Sequence, residues 1–154
     1  MLREKLHKTV LSLVVALTAT ACADPYYNQD MEVIGTAPEL SGIASSDICD
    51  AASYFTYDAP STNRETAKRL LLEVLNRGDI SRKDFDSALT GDVELGMTDL
   101  AATCAWGLPD EEDEYYISGD RKYSRWTYKY GDYGIDRDTI EFVDDRVVSL
   151  SVGN

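Results

Sequence analysis

The strongest hydrophobic pattern in the chain lies between Thr62 and Gly78. Ala67, Leu70, Leu71, Val74 and Leu75 recur at helical spacing, and Lys68, Arg69, Glu73 and Arg77 take the opposite side. Thr62 and Glu65 have the spacing of a capping box, and Gly78 stands where a left-handed residue would end the helix. A second helix is predicted at once. Ser81 is its N-cap, Asp84 follows three residues on, and Ile80 and Phe85 are placed as a hydrophobic staple. Phe85, Ala88 and Leu89 form its apolar stripe, and Gly91 ends it. The third helix is the one the chain is organised around. Gly96 and Met97 lead into Thr98, a good N-cap, and Asp99 complements the dipole of the first turn. Leu100, Ala101, Ala102, Cys104, Ala105 and Trp106 are nearly all apolar, and Gly107 and Pro109 stop the helix. About two turns of helix do not hold in water alone, so the tyrosine-rich segment beyond is expected to support it. A shorter turn of helix is expected around Cys49, Ala51 and Ala52.

After Pro109 the period changes to two. Residues 115–117 start a sheet and 118–120 turn it. Residues 123–130 alternate, with Trp126, Tyr128 and Tyr130 on one face and Arg125, Thr127 and Lys129 on the other. Ile140 and Phe142 point inward in the next strand, Asp144 and Asp145 turn the chain, and Val148, Leu150 and Val152 are the expected inward positions of the last. The acids of residues 110–114 read as a solvated loop. Clustered carboxylates attract hard cations, but no calcium-loop spacing is present, so no metal site is assigned. The pattern predicts an α+β fold: two or three short helices packed on a three- to four-stranded antiparallel β-meander, forming a single domain over residues 47–154.

The segments before that domain have a different character. Arg3, Lys5, His7 and Lys8 precede an apolar run over residues 10–21, too short to span a membrane but suited to a signal-peptide core. Residues 1–21 are therefore read as a signal peptide. Ala19, Thr20 and Ala21 before Cys22 resemble a bacterial lipobox, in which Cys22 becomes the lipidated first residue. Ala19 and Ala21 also satisfy ordinary signal-peptidase cleavage. Residues 23–46 show no period and read as a flexible tether, with an end-to-end distance of roughly 25–30 Å.

Removing the signal peptide changes the charge. The chain has 15 basic and 28 acidic residues, and residues 1–21 hold Arg3, Lys5, Lys8 and Glu4. The mature chain keeps 12 basic and 27 acidic residues, a net charge of −15. Such a surface repels nucleic acid and anionic headgroups, so membrane contact would come through acyl chains on Cys22. Export also sets the expectation for the remaining cysteines. In an oxidising compartment, Cys49 and Cys104 are expected to pair, a bridge that would stabilise by roughly 4 kcal/mol on chain-entropy grounds. Two buried free thiols are the alternative.

Little of the sequence points to catalysis. His7 is the only histidine and lies in the segment to be removed, so imidazole catalysis and imidazole metal ligation are excluded in the mature chain. No glycine-rich phosphate loop and no C-x-x-C is present. No catalytic, cofactor or metal residues are assigned. Arg77, Gly78 and Asp79 spell a cell-adhesion tripeptide, but a helix end followed by a new helix start explains all three. The 10 tyrosines are concentrated after residue 114. Trp126, Tyr128 and Phe142 are expected in the core. Tyr116 and Tyr133 fall off the inward register and are the candidate protein-binding pair, since exposed tyrosines give large contact area at low entropic cost.

The order of short motifs carries a resemblance. Gly96, Met97 and Thr98, then Gly107 and Pro109, then Trp126 and Tyr128, then Phe142 and Val147 resemble the SmpA/OmlA, or BamE-like, superfamily of small bacterial envelope lipoproteins. Its fold is shared with beta-lactamase-inhibitor proteins. The resemblance covers roughly residues 92–152. The chain departs from it at Ala102, where valine is usual, and at Trp106, where leucine is usual. It implies a non-catalytic, lipid-anchored protein of the outer membrane, facing the periplasm, with an envelope protein as partner and no cofactor. Such a protein would act in outer-membrane protein assembly or envelope maintenance. Ala23 after Cys22 is similar to outer-membrane sorting signals. The alternative is a soluble periplasmic inhibitor or ligand-binding protein of the same fold.

Overall fold

The computed structural model describes residues 25–57, 63–117, 121–131, 134 and 136–153, the side chains of residues 25–28 and 115–117 excepted. Helices α1 (Pro25–Thr36), α2 (Ser45–Tyr57), α3 (Arg64–Arg77), α4 (Arg82–Thr90) and α5 (Asp99–Trp106) come first. Strands β1 (Glu111–Ile117), β2 (Arg121–Tyr130), β3 (Asp136–Val143) and β4 (Arg146–Ser151) follow and pair antiparallel in sequence order. The fold is α+β with a β-meander, with five helices among the described residues where two or three were expected.

Local signals account for most helix ends. Ser81 and Asp84 exchange both bonds of a capping box at the start of α4. The Thr98 hydroxyl accepts the Ala101 N–H at 3.1 Å at the start of α5. Helices α3 and α4 end on left-handed Gly78 and Gly91. The start of α3 differs from expectation. Asn63 is the cap, accepting the Thr66 N–H at 3.1 Å, and Thr62 lies outside the described residues. Asparagine is at least as good a cap as threonine, and one residue's choice between them is set by where the chain arrives.

Helix α5 is the centre of the helical layer. Ala101, Ala102, Cys104 and Ala105 are fully buried, and these small side chains let α2 and α4 approach closely. Facing them on α2 are Ile48, Cys49, Ala51 and Ala52, also fully buried. Cys49 and Cys104 are joined as a disulfide, with Cα atoms 4.0 Å apart and a sequence separation of 55. The expected support for α5 was the tyrosine-rich segment; its main supports are helices α2 and α4. The sheet contributes through Tyr128, whose ring meets Trp106 edge-on at 5.4 Å. The Trp106 indole donates to the Gly91 carbonyl at 2.9 Å, so its polar edge is satisfied.

The helix-facing side of the sheet is built from Ser124, Trp126 and Tyr128 of β2, Ile140 and Phe142 of β3, and Val147 of β4, all buried. Tyr130, read as inward, is 46% exposed because it lies at the end of its strand. Thr127, on the opposite side, is nonetheless buried, between Glu111 and Thr139 on the flanking strands. The inward positions of β4 also differ from expectation. A bulge intervenes, since Glu141 pairs with Ser149 but Phe142 pairs with Val147. Val148 is the extra residue and is exposed, Val147 is buried opposite Phe142, Leu150 is half-buried, and Val152 is exposed. A bulge breaks the two-residue period that the expectation relied on.

The segment expected to be a flexible tether is largely structured. Helix α1 packs on α2 and α3, with Met31 and Leu40 buried. Two arginines of α3 hold the connection that follows. Arg69 donates to the carbonyls of Gly35 at 2.8 Å and Ala37 at 3.2 Å. Arg77 donates to those of Leu40 at 2.5 Å and Ile43 at 2.7 Å. Gly35 lies in the last turn of α1, whose free carbonyls attract a cation. No period in the local sequence announces this helix, because its fixing groups come from over 30 residues away.

Candidate interaction surface

The residues that carry the resemblance lie mostly along the joint between α5 and the sheet, at both ends of the helix. The Gly96 N–H donates to the Val147 carbonyl at 2.8 Å, and the Val147 N–H returns a bond to the Met97 carbonyl at 2.9 Å. Thr98 caps α5 and bridges to Arg146. At the other end of α5, the Tyr128 hydroxyl donates to the Gly107 carbonyl at 3.1 Å. Burial holds the Tyr128 phenol well above its usual pKa range, with smaller contributions from Tyr130, Asp50, Asp110 and Glu112. It therefore remains a donor. Trp126 packs against Phe142 with ring centroids 4.6 Å apart, and its indole donates to Glu112 at 2.9 Å. Pro109 is half-buried just after this joint.

Gly107 has a further role. Its φ is +80°, and a Cβ there would lie 2.7 Å from Ser53 Oγ and 3.0 Å from Asp50 Oδ1. Asp50 is almost fully buried, and its Oδ1 accepts the Leu108 N–H at 3.0 Å. A buried carboxylate on α2 thus holds the chain as it leaves α5. The sequence did not single out Asp50; an acid inside an apolar helical run was the signal to be found.

The acids of residues 110–114 are not a solvated loop. Four of them belong to β1, and most have a partner on the sheet. Asp110 accepts the Lys129 N–H at 2.7 Å, Glu111 pairs with the Lys129 ammonium, and Glu114 pairs with Lys122 at 2.6 Å. Lys129 lowers the Glu111 pKa, and the Glu114 bond raises that of Lys122 far above its ordinary value. Among the described residues, no three carboxylates, thiols or imidazoles gather closely enough to hold a metal ion.

On the outer face of the sheet, Glu141 is held below its ordinary pKa by hydrogen bonds from Tyr123 first and then Arg125. Of the candidate binding pair, Tyr133 lies outside the described residues, as does Cys22. Position 116 pairs with Lys122, in the row that also contains Glu112, Glu114 and Trp126. The Tyr116 side chain lies outside the described residues. The strand begins earlier than the sequence suggested, at Glu111. Position 115 pairs with Tyr123.

The Arg77-Gly78-Asp79 tripeptide is used internally. Arg77 holds the connection before α2, and Asp79 accepts the Ser45 hydroxyl at 2.6 Å.

A trough runs beside Leu108, which is 55% exposed. One cavity of about 500 Å³ is lined by Asp30, Met31, Val33, Ile34, Asp47 and Asp50 together with Leu108. A smaller one of about 150 Å³ shares Leu108 and is lined by Ser46, Asp99, Leu100, Thr103 and Trp126. Compared with family models, with curated proteins and with solved structures, the chain matches none.

Proposed function

We propose that the chain is a non-catalytic lipoprotein of the bacterial envelope, anchored to the outer membrane through Cys22, which presents its domain to a protein partner. The observation that carries this reading is the joint at α5. The short motifs behind the resemblance to the SmpA/OmlA superfamily are not scattered through the structure. Gly96, Met97 and Val147 tie one end of the helix to β4, and Gly107 and Tyr128 tie the other to β2. The N-terminal basic and apolar run, followed by small residues and Cys22, supports export and lipidation. Only two residues separate Cys22 from Pro25, the first residue of α1. An acylated Cys22 would therefore hold the domain close to the bilayer, in place of a long tether.

Mass spectrometry of the mature protein tests the anchor. Cys22 should carry acyl chains, and Cys22→Ala should release the protein from membranes or stall its processing. A mature protein with an unmodified Cys22 and no membrane association would favour a soluble periplasmic inhibitor or ligand-binding protein. Capture from detergent-solubilised envelope tests the partner, with Tyr116→Ser/Tyr133→Ser expected to lower capture.

A further inference from the structure

The trough at Leu108 combines exposed apolar surface with acids that have no basic partner among the described residues. Elsewhere, some acids pair with bases: Glu73 with Arg77, Asp86 with Arg82, Glu94 with Lys83, Glu111 with Lys129, Glu114 and Asp145 with Lys122, Glu141 with Arg125, and Asp144 with Arg121. Asp30, Asp47 and Asp99 rim the trough, and no lysine or arginine among the described residues pairs with them. None of the residues lining either cavity is basic. Asp47 and Asp99 stand in the first turns of α2 and α5, where helix dipoles tolerate negative charge without a basic partner. Between these rims the surface is apolar. Val33 is 61% exposed and Leu108 is 55% exposed, and they flank Ile34, Leu100 and the edge of Trp126.

An apolar floor with unneutralised carboxylates on both sides is complementary to one kind of occupant. We infer that the trough docks a cationic amphipathic segment of a partner protein, its apolar side chains against Leu108 and Val33 and its lysines or arginines against Asp30, Asp47 and Asp99. A second copy of this chain is disfavoured as occupant by its charge of −15 after signal removal. Anionic lipid is disfavoured on the same ground. This inference rests on the reading of the chain as an interaction module and names the face and the partner chemistry.

The test uses the full mature chain carrying Cys22→Ser, so that binding is measured independently of lipidation. The probe is a lysine–leucine amphipathic peptide, with a lysine–serine peptide of equal charge and a glutamate–leucine peptide as controls. The lysine–leucine peptide should bind and shift the tryptophan emission, since Trp126 borders the trough. Asp30→Asn/Asp47→Asn and, separately, Leu108→Ser should each weaken it about tenfold. Asp113→Asn/Glu65→Gln removes the same charge from exposed positions elsewhere and should weaken it less than about twofold. Equal binding of the lysine–serine peptide, or equal loss from both charge-removing pairs, would mean attraction to net charge alone and overturn the proposal. Undiminished binding in the trough variants, with circular dichroism showing them folded, would place the surface elsewhere. An acylated Cys22 together with that result would leave the anchor reading intact and remove only the trough.

Discussion

At the scale of single residues, the structure is most demanding where backbone and side chains crowd. Gly107 combines a positive φ with close neighbours, whereas Gly96 has φ +87° and nothing within 4 Å of where a Cβ would lie. Gly96→Ala should therefore cost only the left-handed penalty, about 1–2 kcal/mol. Gly107→Ala should cost about 2–4 kcal/mol, because Ser53 and Asp50 must also move. Chemical denaturation of the two variants separates strain from crowding, and equal losses would show that crowding is absent. Asp144 and Asp145 also have positive φ, 50° and 60°, in the two-residue turn between β3 and β4. Glycine suits the second position of such a turn. Asp145→Gly should raise stability by about 0.5 kcal/mol, read as a higher melting temperature. A lower one would mean that its ion pair with Lys122, 3.3 Å long, outweighs the strain. Trp126→Ala removes a buried ring that packs on Phe142 and should cost about 3–5 kcal/mol.

At the scale of elements, two connections hold the helical layer. The first is the disulfide between α2 and α5. Both sulfurs belong to fully buried residues, so neither Cys49 nor Cys104 should react with a thiol reagent in unreduced protein, before or after denaturation. Labelling of both cysteines in denatured, unreduced protein would refute the bridge. Cys49→Ala/Cys104→Ala should cost about 2–5 kcal/mol. The second is the pair of arginines on α3. Arg77→Ala removes two bonds to backbone carbonyls and should cost about 1–2 kcal/mol, together with the loss of its contacts to Ser45 and Glu73. Hydrogen exchange should then quicken in residues 25–45 before it changes in the sheet. Uniform quickening would show that α1 and the sheet open as one unit.

At the scale of the whole molecule, net charge has the largest influence on behaviour in solution. The chain carries −13, and its ion pairs are on the surface, where each contributes little. Self-repulsion should make the protein more stable in salt at pH 7, and this gain should shrink near the sequence pI of about 4.3. Glu94, Glu111 and Glu141 act in the opposite sense. Their folded pKa values lie below the ordinary 4.5, so their contribution is present above that pH and is lost as the pH falls through the folded values. Melting temperature should therefore fall steeply on the acid side of about pH 4.5. A melting temperature that rises continuously with acid would show that relief of repulsion exceeds these pairs.

The sequence alone determined what depends on neighbours along the chain. The caps at Ser81 and Thr98, the stops at Gly78 and Gly91, the apolar stripe of α3 and the inward positions Ile140 and Phe142 were all legible, because helix and strand periods act over a few residues. It also placed Cys49 and Cys104 as the two candidates for one bridge. Tertiary structure decided the rest. Helix α1 forms in a segment without a period because α2 packs on it and Arg69 and Arg77 hold the connection after it. The bulge at Val148 reset the inward positions of β4. The trough at Leu108 gathers Asp30, Asp47 and Asp99 from three separate helices. Local sequence encodes φ, ψ and side-chain period, but register and the meeting of distant surfaces depend on which chain segments pack together.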